Sequence, residues 1–133
     1  MAYTRQTPDS DTVCNNPGLV SHLCNNSAAE TNMALKVPWD NVNLVYGYTA
    51  VTTAIDATGS TTIDLELTKA GGTAIATQTI AKSAAVGTIT EFTFNEPLVA
   101  KGLDRKSTIN VEIDGSATGS GQFMLYLYFE PNL

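Results

Sequence analysis

Short segments of alternating apolar and polar residues, separated by turn residues, constrain the fold of this chain more than any other feature. In TTIDLELT (61–68), isoleucine and leucine alternate with aspartate and glutamate, and STINVEID (107–114) has the same period of two. Further strand patterns are predicted at 42–52, 73–81, 88–94 and 122–130. Short turns join these segments, and no long helical pattern lies between them. The sequence therefore predicts an all-β fold, an antiparallel β-sandwich.

The chain divides into two regions of different texture. Its length of 133 residues points to one folded domain. Residues 1–36 are polar and irregular, rich in Asn, Thr, Ser and Asp, whereas the strand patterns fill residues 37–133. We therefore predict an extended N-terminal arm (1–36) followed by the β-sandwich domain (37–133).

The arm carries local signals for one or two short helices. Asn16 followed by Pro17 is typical of a helix start and predicts a helix over 17–24. The sequence Ser-Ala-Ala-Glu (27–30) matches a capping box, so a second helix is predicted to run to about Lys36. The Asn pairs on either side of the first helix are expected to be flexible. Such short helices are marginal in water, so the arm is expected to dock onto a partner.

Cys14, His22 and Cys24 are the only soft metal ligands in the chain. A structural zinc site needs four ligands, often in closely spaced cysteine pairs, so no metal is predicted. A helix over 17–24 spans about 12 Å at 1.5 Å per residue. A disulfide needs Cα atoms within about 7 Å, so the helix opposes a bridge and favours two reduced thiols. The apolar residues of this segment, Leu19, Val20 and Leu23, are predicted to anchor the arm on a neighbour.

The last predicted strand, QFMLYLYFE, is apolar or aromatic on both faces. A sandwich strand usually turns one face to the core and the other to water. Two explanations stay open. Tyr126 and Tyr128 form an ordinary surface stripe, or they are covered by the arm, a neighbouring subunit or a larger surface.

Charge and motif content exclude several functional classes. The formal net charge of −6 argues against nucleic-acid binding, and no apolar run is long enough to cross a membrane. No catalytic motif is present, so we expect a protein that is not an enzyme and needs no cofactor. The alternating carboxylates are expected to be solvated strand faces. The first twelve residues lack the apolar core of a signal peptide, which predicts assembly in a cytoplasm.

The segment EFTFNEPLVAKGLDRKSTINVEIDGSATGSGQFMLYLYFEP (91–131) resembles the closing strands of jelly-roll modules on phage capsids and fibres. With the polar arm before it, the whole chain resembles the small decoration, or cement, proteins of tailed-bacteriophage heads. Lys101-Gly102-Leu103-Asp104 departs from the usual turn by one inserted residue.

This resemblance implies a jelly-roll-like sandwich that binds the outside of a phage head and locks major capsid protein subunits together. It also implies a homo-oligomer located on the virion exterior, with a trimer favoured and a dimer as the alternative. The residues expected to bind the partner are Leu19, Val20, Leu23, Met33, Trp39, Tyr126 and Tyr128. The alternative is a carbohydrate- or receptor-binding jelly-roll of a phage fibre or bacterial surface structure. In that case the residues expected to stack on sugar rings are Trp39, Tyr46, Tyr48, Tyr126 and Tyr128.

Overall fold

The computed structural model describes residues 18–26, 32–55, 59–67, 74–95, 101–114 and 120–132. Within these ranges the chain forms nine β-strands and no helix. The strands are β1 (Leu19–Asn25), β2 (Asn32–Lys36), β3 (Val42–Thr53), β4 (Thr61–Leu67), β5 (Ala74–Ile80), β6 (Ile89–Glu91), β7 (Thr93–Phe94), β8 (Thr108–Asp114) and β9 (Gln122–Pro131). The described part of the chain contains no helix with the length and apolar character needed to cross a membrane.

The strands form two antiparallel sheets that enclose one apolar core. Sheet A has the order β1-β9-β3-β6, and sheet B has the order β2-β8-β4-β5-β7. Consecutive strands cross repeatedly from one sheet to the other, as they do in jelly-roll sandwiches. The largest fully buried side chains come from the inner faces of both sheets: Phe123, Leu125, Leu127, Ile63, Leu65, Ile75, Ile80, Ile109, Val111 and Ile113. The prediction of an all-β antiparallel sandwich is confirmed, and five of the six main strand segments each form one strand. The segment predicted at 88–94 instead divides at Phe92 into β6 of sheet A and β7 of sheet B.

The two helix predictions are wrong over the residues that the structure describes. Residues 19–24 lie in β1, which pairs with β9, and residues 32–36 form β2, which pairs with β8. Pairing with β9 buries Cys24 completely in the core and packs Val20 against the core. A short isolated helix is marginal in water and gains no such burial. Residues 16, 17 and 27–31 lie outside the described residues. The described part of the predicted arm is therefore built into the two sheets.

The end of β1 is fastened by a buried asparagine. Asn26 is 1% exposed, and its Oδ1 accepts a hydrogen bond from Thr61 Oγ1 at 2.8 Å. Its Nδ2 donates to the carbonyl oxygen of Ser120 at 3.0 Å. These bonds join the end of β1 to the start of β4 in the other sheet. Asn26 was predicted to be flexible, but it is buried and its side-chain amide is bonded to Thr61 and Ser120. A buried amide has no water to bond to, so these two protein partners hold it.

An irregularity in β3 decides which way its tyrosines point. The register with β9 pairs Leu44 with Phe129 and then Tyr46 with Tyr128, which leaves Val45 as an extra residue. This bulge interrupts the period of two, so Leu44 lies on the inner face while Tyr46 and Tyr48 lie on the outer face. The sequence pattern groups Val42, Leu44, Tyr46 and Tyr48 by uninterrupted alternation, and the bulge separates the two tyrosines from Val42 and Leu44.

Candidate interaction surface

The outer face of sheet A gathers apolar and aromatic side chains from all four of its strands. Directly opposed residues in an antiparallel pair share a face, so the register identifies its members. We call this surface the aromatic face; it consists of Leu19, Leu23, Tyr46, Tyr48, Ala50, Ile89, Met124, Tyr126 and Tyr128. Leu23 is 46% exposed and Ile89 61% exposed, so the surface is open at both of its margins.

Four tyrosines form the centre of the aromatic face. The rings of Tyr48 and Tyr126 stack with centroids 4.8 Å apart, and Tyr46 lies 5.7 Å from Tyr48 and 6.0 Å from Tyr128. Cross-strand aromatic pairs of this kind stabilise a sheet beyond the area that they bury. The rings therefore hold one another in place as a rigid platform.

Two tyrosines of this platform, Tyr46 and Tyr48, have hydroxyl groups with a raised pKa. Tyr46 donates a hydrogen bond to Glu91 Oε2 at 2.9 Å, and this bond is the main cause that raises the pKa of Tyr46 above its ordinary value of 10.0. Burial raises the pKa of Tyr48 above the same value, and the neighbouring tyrosines contribute. At neutral pH Tyr46 and Tyr48 therefore contribute uncharged side chains to the aromatic face, and the carboxylate of Glu91 beside them accepts the hydrogen bond of Tyr46.

The structure brings together four of the seven residues predicted to bind a partner. Leu19, Leu23, Tyr126 and Tyr128 all lie on the aromatic face. A strand turns alternate side chains to opposite sides, so Val20 is separated from its two leucine neighbours.

The other three predicted residues lie elsewhere. Val20 and Met33 face inward and pack against the core. Trp39, 37% exposed, lies in the connection between β2 and β3, outside the strands of sheet A. Tyr46 and Tyr48 were predicted only to stack on sugar rings in the carbohydrate-binding alternative, and Ile89 was not predicted in either site. Apolar and aromatic side chains in strand patterns were the signal available in the sequence. The sequence does not show the bulge at Val45, which decides that the tyrosines lie on the outer face.

The outer face of sheet B has the opposite character. Asp64 and Glu112 lie directly opposite each other on β4 and β8, and Glu66 lies on the same face. Asp64 Oδ1 accepts a hydrogen bond from Thr77 Oγ1 at 2.6 Å, and Glu66 Oε1 accepts one from Asn110 Nδ2 at 3.0 Å. The two outer faces therefore differ, one aromatic and the other acidic.

Burial and the neighbouring carboxylates together raise the pKa of Glu112. Burial is the largest cause that raises the pKa of Glu112 above its ordinary value of 4.5. The negative charge of Glu66 and a hydrogen bond between the two side chains raise it further, with smaller effects from Asp64 and Asp114. Like charges on one strand face disfavour the ionised form of each other.

The described residues offer little for chemistry. Among them, no group of three or more His, Cys, Asp or Glu side chains is placed to hold a metal ion. His22 is exposed on β1. A cavity of about 340 Å³ is lined by Asn43, Leu44, Val45, Phe94 and Lys101, without a carboxylate, histidine or cysteine among them. Of the surfaces described, the aromatic face is the one best suited to contact another molecule.

Comparison with solved structures finds a phage capsid. The chain matches the capsid of Ralstonia phage GP4 with a TM-score of 0.47 and 15% identity, over 97% of this chain and 92% of that one. It also matches an arabinose-bound α-L-arabinofuranosidase, MgGH51, with a TM-score of 0.30 and 16% identity, over 80% of this chain and 24% of the enzyme. No protein-family model and no curated protein matches. At these identities and TM-scores, neither likeness assigns a family or a function.

Proposed function

We propose that this chain is a structural virion protein that binds the outside of a phage capsid and stabilises it through contacts with major capsid protein subunits. The observation that carries the proposal is the aromatic face on sheet A. The resemblance of residues 91–131 to jelly-roll modules of phage particles supports the choice of partner. In this proposal the protein is not an enzyme, and it is assembled onto the particle in the host cytoplasm.

The composition of the aromatic face suits a docking surface. Contiguous exposed apolar side chains on a soluble protein mark interaction sites more often than isolated ones do. Tyrosine is enriched in interfaces, because its ring contributes apolar area while its hydroxyl still bonds to a partner or to water. Tyr46 and Ile89 are both exposed, 37% and 61%, so they are available to a partner.

The acidic outer face of sheet B, with Asp64, Glu66 and Glu112, supports one orientation of the protein on the shell. Net charge away from zero keeps a protein soluble, and the chain carries a formal charge of −6. With the aromatic face docked, Asp64 and Glu112 lie on the side of the protein away from the shell, whereas Glu66, expected to be solvated, is only 2% exposed. Of the residues predicted to anchor the arm, Leu19 and Leu23 lie on the aromatic face, and residues 1–17 of the predicted arm lie outside the described residues. Several weak contacts made by each copy of a homo-oligomer, trimer or dimer, would add up to tight binding by avidity.

Binding to phage heads that were purified without this protein tests the proposal. The double variant Tyr46→Lys and Ile89→Lys adds two charges to the aromatic face at positions far from β1. Its matched control, Thr62→Lys and Thr79→Lys, adds the same charges to the outer face of sheet B. We expect the first variant to bind heads at least about tenfold more weakly, since about 1.4 kcal/mol of lost interface energy suffices. The control should bind like the parent.

Equal binding by the two double variants would overturn the aromatic face as the docking surface. The arm is tested separately by removing residues 1–17. Removing residues 1–36 would also delete β1 and β2, so loss of binding there would report unfolding.

The carbohydrate-binding alternative is favoured by one observation, the partly exposed ring of Tyr46 beside Tyr48 and Tyr128. Exposed aromatic rings are suited to stacking on sugars. Saturable binding to a glycan array that is lost in Tyr46→Ala, together with no binding to heads, would replace the capsid proposal with this one.

A further inference from the structure

The two sheets have four edge strands, and β1 differs from the other three. Sheet edges invite pairing with another chain, and proteins protect them by shortness, charge or proline. β6 has three residues including Glu91, β7 has two residues, and β2 ends in exposed Lys36. β1 has seven residues, LVSHLCN, without a Lys, Arg, Asp, Glu or Pro. Among the described strands, β1 is therefore the edge with the least protection against pairing.

The hydrogen bonds at both ends of β1 show which backbone groups face away from the sheet. The Phe129 N–H donates to the Gly18 carbonyl at 2.8 Å, and the Asn26 N–H donates to the Gly121 carbonyl at 3.0 Å. Residues whose backbone groups bond to the partner strand alternate in an antiparallel ladder. The even-numbered residues of β1 therefore bond to β9, and Ser21 and Leu23 point their N–H and C=O groups away from it.

We infer that β1 pairs antiparallel with β1 of a second copy of this chain, about a two-fold axis at His22. His22 is the central residue of β1, so this register overlaps the whole strand. Ser21 then lies opposite the partner subunit's Leu23, in a hydrogen-bonded pair, and the symmetry repeats that pair on the other side of the axis. His22 lies opposite the partner subunit's His22, in a non-hydrogen-bonded pair, with Cα atoms about 4.5 Å apart.

Charge selects β1 as the edge at which a second copy of this chain can pair. Two copies that each carry a formal charge of −6 repel one another, and a strand without acidic side chains is where they can meet at least cost. The strand is also self-complementary. Next to the axis, Ser21 and Leu23 supply the backbone N–H and C=O groups that face away from β9, and the two-fold symmetry pairs each of them with the other in the second copy. An unrelated chain would need no such match.

Pairing by β1 joins two copies of sheet A into one eight-stranded sheet, counted as twice its four strands. Because directly opposed side chains share a face, both aromatic faces then lie on the same side of that sheet. This consequence deepens the proposed function and rests on it: a dimer presents two docking surfaces to one shell, and their binding energies combine. Self-association itself is measured on the isolated protein.

Register-specific cross-linking tests the inference directly. In a Cys14→Ser background, His22→Cys should form an intermolecular disulfide under mild oxidation, because opposed non-hydrogen-bonded Cα atoms fall within disulfide range. Ser21→Cys is the matched control. Its counterpart in the partner is diagonal, about 7–8 Å away, so it should cross-link much more slowly. Equal rates for the two variants would overturn the register.

Native mass and sedimentation measure the association without a cross-link. We expect the full chain to be a concentration-dependent dimer, and Ser21→Pro to be a monomer. This proline removes an N–H that does not bond to β9. Ala34→Pro makes the same change on β2, whose neighbouring Val37 N–H bonds to Ser107 across to β8, and it should leave the dimer intact. Leu23→Lys is a second variant, which breaks the dimer by charge repulsion without a proline.

A parent chain that stays monomeric at all concentrations would overturn the inference. Failure of the inference and failure of the proposed function give different results. A monomer that binds heads retains the capsid function without the β1 pairing. A dimer that does not bind heads retains the pairing without the capsid function.

Discussion

Thr49 donates a buried hydrogen bond to Gln78 across the two sheets, with 2.8 Å between Oγ1 and Oε1. Thr49 lies on β3 of sheet A and Gln78 on β5 of sheet B, and both side chains point into the sandwich. The amide nitrogen of Gln78 donates to the carbonyl oxygen of Thr90 at 3.3 Å. A polar contact inside an otherwise apolar core fixes the position of one sheet relative to the other, since only one alignment satisfies it.

Replacing this donor tests how much the contact stabilises the fold. Thr49→Val keeps the size of the side chain and removes its hydroxyl, which leaves Oε1 of Gln78 buried without this donor. We expect the free energy of unfolding to fall by about 1–3 kcal/mol in urea titrations. Thr53→Val is the control, because its hydroxyl bonds to Gln122 at an exposed position and should matter by less than about 0.5 kcal/mol. Similar losses in both variants would contradict a special role for the buried contact.

Gly47 follows the bulge and fills a place without room for a side chain. A Cβ atom there would lie 3.0 Å from Leu127 Cδ2, 3.1 Å from Phe92 Cδ2 and 3.2 Å from the Tyr126 carbonyl oxygen. We expect Gly47→Ala to lower the free energy of unfolding by about 1–3 kcal/mol, as overpacking of a core does. Ala50→Val adds more volume on the outer face of the same strand and should cost less than half as much. The reverse order would show that the inner face accepts the methyl group.

The sequence predicts the segments of this fold better than their partners. β4 and β8 alternate cleanly, and the structure places their isoleucines, Leu65 and Val111 inward. In β9 one apolar set, from Phe123 to Phe129, lies inward and the other lies on the aromatic face. β1 was predicted as a helix from the local signal of Asn16 and Pro17. Pairing with β9 outweighs such a signal, since local propensity is a weak guide where tertiary contacts decide. No feature of residues 19–25 alone announces that pairing.

The candidate surface was half visible in the sequence. Tyr126 and Tyr128 stood out because β9 is apolar on both sides, and Leu19 and Leu23 were selected as apolar residues in a polar region. Tyr46 and Tyr48 were named only for stacking on sugars, because uninterrupted alternation grouped them with Val42 and Leu44. The extra residue Val45 reverses the alternation and places the two tyrosines on the outer face.

The acidic face predicts a dependence of stability on pH. The pKa of Glu112 is raised in the folded protein, so the folded state binds the proton more tightly than the unfolded chain does. Its favourable contribution is present below the ordinary value of 4.5 and is lost as the pH rises through the raised pKa. Glu112→Gln should therefore raise the melting temperature at pH 7, and the gain should shrink as the pH falls toward 4.5.

Melting curves of parent and variant at several pH values measure this effect. Glu130→Gln, an exposed change at the end of β9, controls for the loss of one negative charge. A gain in Glu112→Gln that is equal at all pH values would contradict the protonation argument, and so would an equal gain in the control.

The placement of β1 predicts the reactivity of one thiol. Cys24 lies in β1 and its side chain is fully buried in the core, with its Sγ 3.8 Å from the carbonyl oxygen of His22. The neighbouring Leu23 is 46% exposed. In a Cys14→Ser background we expect Cys24 to be unreactive toward a thiol reagent such as DTNB until denaturant unfolds the protein, because the thiolate must reach solvent to react. Leu23→Cys in the same background moves only one residue along the strand and should add one thiol that reacts at once.

A helical or detached segment would expose both positions, so rapid reaction of Cys24 in the native protein would contradict the strand. Reaction of neither thiol would instead show that another part of the chain, or another copy, covers the aromatic face at Leu23.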